Sequence, residues 1–280
     1  NYFGFIFVLV LLSLQIKATS FDLLKCDQYT IDDGLPQSFV ENFFQDKKGF
    51  LWISTQDGLS RFNGYEFENF YSNPFDSTTI LSNYIIGMSN WNQDSICFTT
   101  RIGISIFDPL SKKFKNFPFA LNNDTVGSIT SSVFLPTNAI IVSSSKGLFE
   151  IKILNNKSVI RSLNFQKKIK RLISCDNRIF FASDNTLHEI TKTSVLAAKQ
   201  FPKNIKGIFS TENGIGISFE NQFIHLNKKN IEEKTFSIPA SVNDCILSDG
   251  RYWLATQENG LVIYTPNSEK PFNRSLNQKR

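Results

Sequence analysis

Gly49-Phe50-Leu51-Trp52-Ile53-Ser54-Thr55-Gln56-Asp57-Gly58-Leu59-Ser60-Arg61-Phe62 reads as two strands joined by a tight turn. Leu51 to Thr55 is apolar and β-branched, as a nearly buried strand requires. Asp57-Gly58 supplies the turn, because glycine tolerates the positive φ that two-residue hairpin turns demand. Leu59 to Phe62 then alternates apolar with polar, so that one side is buried and the other wet.

Weaker versions of this hairpin return along the chain. Aligned on Trp52, the equivalent positions are Cys97, Ile141, Phe180, Gly216 and Trp253. The steps are about 45, 44, 39, 36 and 37 residues, the spacing of four-stranded propeller blades rather than of shorter, helix-bearing repeats. No segment keeps a helical period, and Gly, Asn and Ser punctuate the chain throughout. The expected fold is therefore all-β, a β-propeller of four-stranded antiparallel blades with six repeats visible. It is either six-bladed or an incomplete seven-bladed ring. Gln28–Ile31 is a candidate outer strand for the last blade, which would seal a six-bladed ring.

A chain of 280 residues suits one closed all-β domain, and 28 Phe suit sheets packed face to face. The formal charge of +5 is modest. Its densest basic cluster is Lys167, Lys168, Lys170 and Arg171, read first as solvated loop and second as an anion or polyanion patch. No basic and stacking-aromatic motif for nucleic acid is present. Tyr2 to Leu14 is an apolar run too short for a comfortable span and right for a signal-peptide core, with Ala18 and Ser20 permitting cleavage before Phe21. An uncleaved anchor is the alternative, and either implies export to the periplasm or cell surface. The expected organisation is 1–20 signal peptide with a truncated start, 21–266 propeller and 267–280 polar tail, the tail fraying or beginning another blade.

Tyr29-Thr-Ile-Asp-Asp-Gly-Leu-Pro36 together with Gln45-Asp-Lys-Lys-Gly-Phe-Leu-Trp-Ile-Ser-Thr-Gln-Asp-Gly-Leu-Ser-Arg-Phe-Asn-Gly64 resembles the two-component regulator propeller repeat, whose pattern runs roughly Y-T-x-x-D-G-L, then Q-D-x-x-G-x-L-W-x-G-T-x-x-G-L-x-R. Gly250–Tyr264 carries a looser copy, and repeats two to five depart from the pattern at the Trp position. The resemblance implies the periplasmic sensor region of a hybrid two-component histidine kinase, or a stand-alone relative. It also implies an oligosaccharide or other polar small ligand, downstream sensor and kinase domains as partners, and a possible homodimer. Membrane contact would come only through the signal segment or a downstream span.

The sequence nominates no catalytic residue, metal site or cofactor. Cys26, Cys97, Cys175 and Cys245 lie in no C-x-x-C pair and read as single buried thiols, though pairing stays open. His188 and His225 fall on third strands one residue out of register, facing opposite sides of their sheets. Trp52 and Trp253 read as core, while Trp91, in the polar Ser89-Asn-Trp-Asn-Gln, offers an indole for stacking on a sugar. The turns joining second to third strands gather polar groups at one mouth: Gln56, Asp57, Arg101, Lys146, Asn185, Asn221, Gln257 and Asn259. With Trp91 these are the candidate ligand contacts. A propeller enzyme and a protein-interaction ring are the competing classes.

Overall fold

A computed structural model describes residues 28–92, 94–119, 126–191, 194–238, 241–257, 259–265 and 272–274. Six antiparallel sheets of four strands follow one another in chain order. The first is β1 (Val40–Gln45), β2 (Leu51–Thr55), β3 (Gly58–Phe62) and β4 (Phe67–Phe70). The second is β5 (Ile85–Asn90), β6 (Ile96–Thr100), β7 (Gly103–Asp108) and β8 (Lys113–Pro118). The third is β9 (Ile129–Phe134), β10 (Ala139–Ser144), β11 (Gly147–Leu154) and β12 (Lys157–Ser162). The fourth is β13 (Leu172–Cys175), β14 (Arg178–Ser183), β15 (Thr186–Ile190) and β16 (Val195–Gln200). The fifth is β17 (Gly207–Thr211), β18 (Gly214–Ser218), β19 (Gln222–Asn227) and β20 (Glu232–Ser237). The sixth is β21 (Val242–Ser248), β22 (Arg251–Thr256), β23 (Gly260–Tyr264) and β24 (Phe272–Arg274). Each inner strand packs beside the next, β1 on β5, then β9, β13, β17 and β21. The fold is a propeller of six blades.

The repeated hairpin keeps its register. Trp52, Cys97, Ile141, Phe180, Gly216 and Trp253 each stand three residues before the position that closes the turn between the second and third strands. Gly58, at φ 137°, supplies the first of those turns. In the first blade Asp46 organises the preceding turn. Its carboxylate accepts the N–H groups of Lys48 and Phe50 at 2.9 and 3.0 Å and the Trp52 indole N–H at 2.9 Å. Arg61, opposite Trp52 on β3, lies 4.7 Å from the Phe50 ring centroid and pairs with Glu68. The residues that spell the repeat are thus a scaffold. They fix one indole against Phe98 and Phe107 of the second blade, whose ring centroids lie 5.3 and 5.1 Å away.

Gly216 keeps the register without the bulk, for a steric reason. A Cβ there would meet Cζ of Phe223 at 2.4 Å, and Phe223 is itself fully buried. The ring on the third strand fills the space that Trp52 fills from the second.

Four expectations change. Trp253 is half-buried rather than core. Among the described residues no following sheet packs on its side of β22, and Ile246 beside it is 64% exposed. Trp91 is 9% exposed and packs with Cys97, Phe117 and Ile140 between the second and third blades, so it is no free stacking platform. The sixth sheet takes Phe272–Arg274 as its fourth strand, from within the stretch read as tail. The segment at 28–38 does not join that sheet. Ile31–Asp33 is a single 3-10 turn capped by Thr30, and Tyr29 rests edge-on against Phe62 and Phe67 of the first blade. The proposed leader at 1–20 and Cys26 lie outside the described residues.

Candidate functional site

In a four-stranded meander the turn from second to third strand and the connection into the next inner strand fall at the same end of every blade. The structure brings all the nominated residues except Trp91 to that end. Trp91 sits in the β5–β6 loop, at the opposite end.

Several of the gathered groups already have partners. Asn185 donates its amide to the Phe201 carbonyl at 2.9 Å and accepts the Phe201 N–H at its own carbonyl at 2.9 Å, so it ties down the connection between blades. Gln56 donates to Glu41 at 3.1 Å, and the Arg101 guanidinium lies 4.0 Å from the centroid of the Tyr84 ring. The Asn259 N–H is held by Thr256 Oγ1 at 3.2 Å, and the Gln257 N–H by the Ser241 carbonyl at 3.0 Å. Asp57 and Lys146 lie on exposed turns.

Asn221 differs, because it lines a hollow of about 430 Å³ on the fifth blade. Lys203, Glu220, Gln222, Thr235 and Ser237 share its wall. Phe236 borders it too, but is buried and already stacked by Tyr264 and Phe223, with ring centroids 3.7 and 5.1 Å away. Amide, hydroxyl, ammonium and carboxylate groups around one hollow can hydrogen-bond a polyol. The sequence places Glu220 and Asn221 at the mouth but not Lys203, Thr235 or Ser237, because these come from separate segments.

Two other hollows have a different character. One of about 470 Å³ at the opposite end is lined by Phe50, Arg61, Glu68 and Lys112, whose charges neutralise one another. Burial raises the pKa of Glu68, but hydrogen bonding from Lys112 and the charge of Arg61 outweigh it and hold the group below its ordinary range. The other, about 300 Å³, is the apolar side of the sixth blade at Ile246, Trp253 and Leu261.

Titratable chemistry elsewhere is muted. Burial pushes the Cys97 thiol well up and Cys245 to about 12, so neither is a nucleophile at neutral pH. Among the described residues Cys97, Cys175 and Cys245 are free and buried, and no His, Cys, Asp and Glu cluster is arranged to hold a metal ion. His188 stacks on Phe181 and His225 bonds Thr211 at 3.0 Å, on opposite sides of their sheets as the register requires.

The family model for the two-component regulator propeller matches residues 34–57. That segment is a two-component regulator propeller repeat. A curated relative, histidine kinase P4 of Formosa agariphila, is 42% identical over 69 residues, which is 25% of this chain and 5% of the kinase. Among solved structures, the extracellular domain assigned to a hybrid two-component system of B. thetaiotaomicron superposes with a TM-score of 0.67 at 18% identity, over 89% of this chain and 36% of that one. PorZ, a surface component of the type-IX secretion system of Porphyromonas gingivalis, superposes at 0.66 with 14% identity, over 89% and 34%. At such identities the structural likeness establishes the fold alone. The chain spans a small part of the curated relative and about a third of these solved chains. No helix among the described residues is long and apolar enough to cross a membrane.

Proposed function

We propose that this propeller is the exported, non-catalytic sensing part of a two-component signalling histidine kinase, and that it binds a glycan or another polar ligand at the rim. The observation that carries this reading is the repeat at 34–57, in a chain that shares a 42% identical stretch with a histidine kinase. The rim hollow supports it, since its polar wall suits recognition of hydroxyl groups. Glu220 is the single carboxylate that lines the hollow, where a glycosidase uses a pair. The kinase activity belongs to a separate domain, which the bound ligand controls by favouring one arrangement of the sensor over another. A ligand with equal affinity for both arrangements would shift nothing.

The test is titration calorimetry over a panel of oligosaccharides, with chromatographic analysis of each sugar after incubation. Saturable heat with unchanged sugar is expected. Turnover of a bound sugar contradicts the non-catalytic reading, and silence across the panel contradicts glycan sensing.

A further inference from the structure

We propose that the rim of the third to fifth blades recognises an acidic polysaccharide, one bearing carboxylate or sulfate groups. The inference deepens the reading above and rests on it. Lys170 and Lys206 carry the argument. The Lys170 N–H bonds the Ala182 carbonyl at 2.9 Å, and the Lys206 N–H bonds the Ser218 carbonyl at 2.8 Å. Each carbonyl lies at the end of a second strand, just before the turn, so the two lysines occupy the same step at the entry to neighbouring inner strands. Two ammonium groups therefore leave adjacent blades at one level of the mouth.

Other cations extend the row. Lys167 and Lys168 lie on the connection into β13, Lys203 on the connection into β17, and Lys146 on the β10–β11 turn, all exposed. Arg171 is excluded, because Asp244 holds its guanidinium at 3.2 Å. Lys168, Lys170, Lys203 and Lys206 make no ion pair among the described residues. Among the described residues on the turns of this sector, Asp184 and Glu220 oppose them. Clustered like charges at one mouth raise the local concentration of an anionic ligand and orient it.

The surroundings choose among anions. None of the large exposed hydrophobic side chains lies on the connections 163–171 and 201–206 or on the turns at 145–146, 184–185 and 220–221. A lipid surface would find nothing to insert, and bases would find no ring to stack on. Hydroxyl recognition is available next to the cations, since Lys203 shares its hollow with Asn221, Gln222, Thr235 and Ser237. A chain of sugar units with regularly spaced acidic groups satisfies both features.

The experiment titrates the purified protein with oligogalacturonate, a sulfated galactan oligosaccharide, a neutral β-glucan oligosaccharide, a DNA duplex and phosphatidylglycerol vesicles. Acidic saccharides are expected to bind, with affinity falling at least about tenfold between roughly 50 and 300 mM salt, as release of several counterions requires. The double variant Lys170→Gln with Lys206→Gln should weaken that binding about tenfold and flatten its salt dependence. Lys157→Gln, on an exposed strand away from the rim, should leave it unchanged and serves as the charge control. Circular dichroism melts confirm that each variant folds. Neutral saccharide bound as tightly as acidic, or binding untouched by salt and by the double variant, overturns the inference and leaves the glycan-sensing reading intact. Duplex or vesicles bound as tightly as the saccharides also overturn it. Failure of every saccharide overturns both.

Discussion

Trp52 and Trp253 occupy the same step of the same strand in the first and sixth blades, and they meet different fates. Trp52 is 1% exposed, with its indole N–H on Asp46 and rings of the second blade packed against it. Trp253 is half-buried on a side of its sheet that carries Ile246 and Leu261 around an apolar hollow. The identical residue at the identical register therefore owes its burial to the following blade and not to its own sheet. The middle blades make the same point with other residues. Phe180 faces the fifth blade, whose Lys228 carbonyl accepts from Arg178, and Phe223 stands in for a side chain at Gly216 and meets Tyr252 of the sixth.

That comparison can be broken or sharpened by substitution. Trp52→Ala should cost about 3–5 kcal/mol in urea unfolding, since it empties a site sealed by two blades. A loss no larger than that for Trp253→Ala would mean that the two sites do not differ as described. Next in size is Gly216→Ala, which drives a methyl into the Phe223 ring and should cost about 1–3 kcal/mol. In a double-mutant cycle, Phe223→Leu should recover part of that cost; strict additivity would show that the ring is not what the methyl meets.

Glu189→Gln comes third, at about 1 kcal/mol at neutral pH, because Arg178 grips both carboxylate oxygens at 2.7 and 2.6 Å. Its pH dependence has a definite sign. Hydrogen bonding from Arg178 outweighs desolvation and, with the charge of Arg178, holds the Glu189 pKa below the ordinary 4.5. The stabilisation is complete above 4.5 and fades as pH falls through the lower folded value. The variant should match the parent in strong acid and fall behind it only as pH rises towards and past 4.5, so a difference independent of pH would contradict the ion pair. Smallest is Trp253→Ala itself, at no more than about 1 kcal/mol. Iodide should quench its fluorescence readily in a Trp52→Phe, Trp91→Phe background, and a protected indole there would undo the contrast.

Much of this architecture is legible in the sequence, because hairpins are local. Apolar strands ending in Asp-Gly, Lys-Gly or Asp-Asn turns reveal both register and repeat length even where Trp gives way to Cys97 or Gly216. What a neighbouring blade contributes is not local, so the exposure of Trp253 and the burial of Trp91 under Phe117 and Ile140 are invisible along the chain. The short strand Phe272–Arg274 also escapes, since a single Phe among polar residues makes no alternating pattern. The candidate site divides the same way. The turns at the mouth are countable from sequence, whereas the hollow at Asn221 needs Lys203, Thr235 and Ser237 folded onto it.

Hydrogen exchange on the protein saturated with an acidic oligosaccharide tests most directly whether recognition belongs to the rim. Protection is expected to gather at 163–171, 201–206, 219–222 and 235–238, the segments that carry the lysine row and the hollow. Protection confined to the opposite end, at 46–50 and 63–66, would contradict it.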